Sequence, residues 1–131
     1  MTPVSEAASL ALHSMALLAQ AGHEKLSVDS IAERTGASRA HLSKVLQRLA
    51  KVELVKGVRG PGGGYVLTRP GSEITLLDVY EAIDGPVSHE KCMLQRPECL
   101  FESCLFGGFL TRMTREFREY LAQHSLADLD L

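Results

Sequence analysis

The sequence predicts a mainly α protein: a winged helix-turn-helix with a two-stranded wing, followed by a long C-terminal dimerisation helix. Three observations predict it. Two short helical segments, each headed by a serine cap, flank a turn at residues 36–38; two strand-like runs flank a glycine cluster; and a late segment carries apolar residues at helical spacing. A chain of 131 residues can bury one core without disulfide or metal staples.

In chain order, residues 5–21 read as a helix. Leu10, Ser14, Leu17 and Ala21 recur at spacings of 4, 3 and 4, with Leu18 beside them. Glu6, Ser9, His13, Ala16 and Gln20 form a second, polar or small stripe, and Gly22 suits the stop. In "LSVDSIAERTG" Ser27 is the N-cap and Gly36 the break. Ser38 caps the next helix, whose buried stripe is Leu42, Val45, Leu46 and Leu49; Arg39, Ser43, Lys44, Gln47 and Lys51 fall mostly opposite. "LVKGVR" and "YVLT" are strand-like, and "GPGGG" between them makes a hairpin, or wing.

"TLLDVYEAIDG" reads as a helix with a capping box of Thr75 and Asp78 and a stop at Gly85. Residues 86–103 show no period and read as a loop. A long helix is expected from Cys104, with Phe106, Phe109, Leu110, Met113, Phe117, Tyr120 and Leu121 on its apolar side. "SLADLDL" suits one further turn. The expected organisation is a DNA-binding part over residues 1–72 and a loop-plus-dimerisation-helix part over 73–131, packed as one unit.

Charge is unevenly distributed. Residues 34–69 hold eight basic residues against the single acid Glu53, a net of +7, while the remainder nets −9. A basic block in an acidic chain is a footprint for a polyanion. No secretion signal is apparent, and "AASLALHSMALLAQA" is too short for a bilayer span, so a cytoplasmic protein with no membrane partner is expected. No nucleophile–base pair, nucleotide loop or catalytic carboxylate pair stands out, which argues against an enzyme. "RGPGGGY" lacks the Gly-Lys-Ser/Thr of a phosphate loop and precedes a strand; its glycines read as a flexible tip that approaches DNA.

Helix, turn, helix and wing point to double-stranded DNA. The second helix of such a motif lies in the major groove with its N-terminal residues toward the base edges. Ser38, Arg39, His41, Ser43 and Lys44 are the candidates there; Gln47, Arg48 and Lys51 are candidates for phosphates. Arg59 and Gly60 sit at the wing tip, within reach of a minor groove or the backbone. The apolar C-terminal helix exceeds what one small domain needs. Burial against a second copy would give a homodimer and a palindromic operator.

All three cysteines, Cys92, Cys99 and Cys104, fall in "CMLQRPECLFESC". The gaps are wider than those of structural zinc sites. Thiolates in a flexible loop can hold a soft metal or an inorganic core; free or redox-sensitive thiols are the other reading.

The sequence resembles the winged-helix regulators typified by the iron–sulfur regulator IscR and the nitric-oxide sensor NsrR. The resemblance runs from Val4 to about Leu129 and rests on "LSKVLQRLAKVELVKGVRGPGGGYVLTRP", with its near-signature "VRGPGGGY", and on the cysteine stretch before a long helix. It implies a homodimer, palindromic DNA and an iron–sulfur cluster, 2Fe-2S or 4Fe-4S, on Cys92, Cys99 and Cys104. It also implies a regulator, most simply a repressor, that senses redox state, nitric oxide or iron–sulfur status; the alternatives are a regulator of the same fold that senses by thiol oxidation or through a partner protein, or a zinc-stabilised DNA-binding protein. For the fourth ligand, Gly107 and Ser9 stand where some members carry a histidine or an acid, whereas His13 matches a third pattern. His13 of the other subunit is the candidate and His89 its rival, ahead of Glu90 and Glu98.

Overall fold

The computed structural model describes residues 4–87 and 99–129. Cys92, His89, Glu90 and Glu98 lie outside the described residues.

The element order is α1 (Glu6–Ala21), α2 (Val28–Thr35), α3 (Arg39–Lys51), β1 (Val55–Gly57), β2 (Tyr65–Leu67), a 3₁₀ turn (Gly71–Glu73), α4 (Leu76–Asp84), α5 (Phe109–Gln123) and a closing 3₁₀ turn (Leu126–Asp128). Side chains cap four helix starts as their sequence suggests. Ser5, Ser27 and Ser38 accept from the amides of Ala8, Ser30 and His41. Thr75 and Asp78 exchange both bonds of a capping box. β1 and β2 pair antiparallel, Val55 with Leu67 and Gly57 with Tyr65.

α1, α3 and α4 enclose the core. Met15, Leu18, Ile31, Leu42, Leu46, Leu49 and Ile74 are fully buried or nearly so. α1 turns Ala8, Ala11, Met15 and Leu18 inward, along with Leu10 and Ser14, while Leu17 and Ala21 are only half-buried. The buried face of α1 is therefore rotated slightly from the expected stripe.

Three expectations need correction. α5 begins at Phe109, not at Cys104. Gly107 takes φ 56° and Gly108 is the N-cap position without a capping side chain. Two adjacent glycines are poor helix formers, and they stop the helix from reaching back to the thiol. Phe106 accordingly belongs to the turn before α5, not to its apolar face. Last, the wing glycines do more than loosen a tip. A Cβ at Gly60 would lie 2.8 Å from Lys25 Nζ, and one at Gly64 would lie 2.9 Å from the Leu26 carbonyl oxygen. Both have positive φ; at Gly64 the close approach of the Leu26 backbone also demands glycine, whereas at Gly60 the flexible Lys25 ammonium could yield and the backbone conformation alone does.

Candidate nucleic-acid interface and thiol site

α3 is held from beneath by Leu42, Val45, Leu46 and Leu49, which leaves its other side to solvent. Ser38, Arg39, Lys44 and Gln47 are exposed, and Ser43 is half-buried. Arg39 pairs with Asp29 at 2.9 Å, with both side chains about 70% exposed. An ion pair that open holds its cation weakly, so Arg39 stays available to a DNA acceptor. Ser38 Oγ is committed to the His41 amide at 3.1 Å. Arg59 and Gly60 are exposed on the wing.

Two of the candidate residues have internal roles. Arg48 donates its guanidinium N–H to the Ile83 carbonyl, at the C-terminal end of α4, where the helix dipole favours a cation. His41 is half-buried and lines an open groove of about 690 Å³ with Glu6, Ser9, His13, Gln20 and Arg34. The groove runs between the polar stripe of α1 and the α2–α3 turn. Neither feature has a signal in local sequence, since both depend on how distant elements pack.

His13 is exposed, and its Nδ1 lies 2.6 Å from the Ser9 carbonyl oxygen. A carbonyl only accepts, so Nδ1 is the donor here, and in the neutral ring the lone pair then sits on Nε2. A metal-binding histidine commonly has this arrangement. Cys99 and Cys104 are free thiols, exposed and half-buried respectively. Each sulfur accepts from the amide two residues on, Phe101 and Phe106, at 3.4 Å. Cys104 sits in a turn and not at the start of α5, so no helix N-terminus faces its sulfur, only this amide. The donor types suit an iron–sulfur group, but among the described residues no three potential ligands converge, and no described cysteine lines the groove around His13.

Around the thiols the surface is apolar. Leu100, Phe101, Leu105, Phe106, Phe109, Met113 and Tyr120 are all exposed, Leu105 by 82%. On α5 the apolar arc divides. Leu110 and Leu121 are buried and Phe117 meets Tyr80 edge-on at 5.2 Å; Phe109, Met113 and Tyr120 face out. At 100° per residue these two sets lie about 80° apart, adjoining halves of one face.

The family model Rrf2, described as an iron-dependent transcriptional regulator, matches residues 4–130. The chain belongs to the Rrf2 family. Among its relatives is the transcriptional regulator IscR of Photorhabdus laumondii, 34% identical over 119 residues, which are 91% of this chain and 71% of that protein. Solved structures of the same fold include CymR, the global cysteine regulator of B. subtilis, at TM-score 0.79 and 29% identity, covering 98% of this chain and 95% of that one. IscR of T. potens follows at TM-score 0.75 and 29% identity, covering 97% and 85%. The Rrf2 chain is thus a winged-helix transcriptional regulator of the IscR and CymR type, with DNA as partner, and not an enzyme. No helix among its described residues is long and apolar enough to cross a membrane.

Proposed function

We propose that the chain is a homodimeric repressor of a palindromic operator. In this reading its DNA affinity follows an iron–sulfur cluster held by Cys92, Cys99 and Cys104, with His13 of the partner subunit as fourth ligand. The observation that carries the cluster is the orientation of His13: its Nδ1 faces the Ser9 carbonyl at 2.6 Å, so in the neutral ring Nε2 is the nitrogen left to ligate. Neither described thiol, Cys99 or Cys104, lines the groove holding His13, and the proposal draws the thiols from a second copy. The uncovered half of α5 supports that second copy, since exposed apolar surface of this extent marks an interface. When bound, the cluster would supply an iron sensitive to oxidants and nitric oxide at its non-thiolate ligand.

The chain's own bonds give a route from the cysteine stretch to α3. That stretch leaves α4 at Ile83–Val87. There Arg48 of α3 donates to Ile83, Ser5 of α1 donates to the Asp84 carboxylate through Oγ at 2.6 Å, and the Val87 amide donates to Glu81 at 3.0 Å. Three helices are pinned to the neck of the stretch, so a change in how the stretch is seated pulls on the recognition helix. DNA would bias the thiol site reciprocally.

A second reading keeps the fold without the cluster. The thiols themselves would then respond to oxidation, to zinc or to a partner protein; the two free, accessible thiols Cys99 and Cys104 favour it. Anaerobic purification with visible spectroscopy and counts of iron, acid-labile sulfide and zinc decides. A coloured protein with iron and sulfide is expected; colourless protein with full DNA affinity rejects the cluster. His13→Ala should alter the spectrum or lifetime of the coloured form, and an unaltered one shifts the ligand to His89.

A further inference from the structure

The wing carries a third strip of backbone. Leu26 and Tyr65 exchange amide–carbonyl bonds of 3.1 and 2.9 Å, which lays the α1–α2 connection against β2. Lys25 thereby comes to the wing tip: its ammonium abuts the backbone of Gly60, the residue after Arg59. On β1, Lys56 opposes Val66, and alternation puts both on the sheet face away from buried Val55. A pocket of about 330 Å³ lies on this outer face, lined by His23, Lys25, Lys56, Val58 and Val66 among others. No acidic side chain lines it, and neither lysine forms an ion pair with a described residue.

Three basic side chains converge here from two segments far apart in sequence, with the apolar stems of valines between them. The lysines have no carboxylate to neutralise them, so a compact oxyanion is the complementary ligand. The pocket is continuous with the wing tip through Lys25, which stands beside Gly60 at one end and lines the pocket at the other. A polyanion strand that meets Arg59 can therefore run on into it. We propose that this pocket is a second phosphate site of the wing: Lys25 and Lys56, assisted by the His23 ring, grip a backbone phosphate of DNA flanking the base pairs faced by α3. Such a contact carries no base information and fixes register on the duplex. The proposal rests on the reading of the wing as a DNA-contacting element.

The test is the full-length double variant Lys25→Ala/Lys56→Ala, measured against a random-sequence duplex of about forty base pairs by fluorescence anisotropy across salt. Each lost phosphate contact should flatten the slope of log affinity against log salt by about 0.9, so the deficit of the variant should shrink about threefold to fourfold per contact between 50 and 200 mM salt. Lys25→Arg/Lys56→Arg should restore the wild-type slope, because it keeps the charge. Unchanged affinity and slope in the alanine variant would overturn the site. So would a loss of DNA affinity that merely tracks a fall in melting temperature, since Lys25 would then be serving the C-terminal dipole of α1. Inorganic phosphate that shifts the His23 NMR signals, in a protein whose duplex binding ignores both lysines, would reassign the pocket to a free anion and also overturn the proposal. Wild-type protein that fails to bind duplex at all would instead defeat the DNA-reading role of the wing.

Discussion

The winged body from α1 to α4 and the segment from residue 99 onward treat their apolar residues in opposite ways. The body closes over its own: Met15, Leu18, Ile31, Leu42, Leu46 and Leu49 are at most 1% exposed. Of the large exposed apolar residues described, only Val52 belongs to the body; Leu100 through Tyr120 supply the rest. Burial is the main force that holds a domain together, so the body is closed within one chain, whereas the C-terminal segment buries Leu110, Leu121 and Leu126 but leaves a second apolar side open, the side that the proposed dimer would cover. The two described thiols, Cys99 and Cys104, lie in that open part. In the proposed dimer, a sensor built there would change the fit between subunits without first having to disturb a closed core.

The largest effect expected from this contrast is in the body. Leu46→Ala should cost about 2–5 kcal/mol, the usual result of emptying a well-packed leucine site. Urea unfolding would measure it, and the loss should be independent of protein concentration. Phe109→Asp should act the other way round, with helix content intact but association weakened. A desolvated aromatic anchor contributes about 2–4 kcal/mol, so the dimer dissociation constant should rise roughly thirtyfold to thousandfold in sedimentation equilibrium. A variant that associates like the wild type would show that the outer half of α5 is not the interface.

Most of the body is legible in the sequence because its signals are local. Ser27, Ser38, Thr75 with Asp78, and Gly36 mark boundaries within one turn of where they act. The start of α5 is misread for the same reason: apolar spacing continues through Phe106, and only the Gly107–Gly108 pair interrupts it. Long-range pairings are not legible. Nothing around Arg48 announces the Ile83 carbonyl, and nothing around Lys25 announces the wing tip, since thirty-five residues separate each pair. His13 became a ligand candidate only through the family resemblance, and that its Nδ1 faces the Ser9 carbonyl follows only from the folded distance.

Arg48 gives a smaller and sharper test. The sequence alone suggests a phosphate contact, whereas its bond to Ile83 ties α3 to the end of α4. Arg48→Ala should cost about 1 kcal/mol of stability, the typical net worth of such a bond at a partly exposed site. The salt dependence of DNA binding should keep its slope. A slope reduced by about 0.9 would return Arg48 to the phosphates.

The smallest effect concerns the seam that returns the C-terminal segment to the body. Leu126 is buried there; its amide donates to the Ile74 carbonyl at 3.0 Å, and the Leu76 amide donates to His124 at 2.9 Å. Asp128 holds the closing turn by accepting from the Ser125 amide at 2.8 Å. That bond, chiefly, sets its carboxyl below the ordinary carboxylate range, with further help from the Ser125 hydroxyl and the nearby His124 and against a desolvation effect. A carboxyl whose folded pKa is depressed stabilises above its unfolded pKa, and the contribution is lost as pH falls through the folded value. The seam should therefore be fully closed at neutral pH and loosen only in acid, below the normal aspartate range. Hydrogen exchange at the Leu126 amide, followed from neutral to acidic pH, would show local opening ahead of the Leu46 amide in the core. Asp128→Asn should remove that pH dependence while changing exchange at neutral pH only slightly. Equal acid sensitivity at both amides would mean that the seam and the body open as one unit, and that the division between a closed body and an open C-terminal segment ends before residue 124.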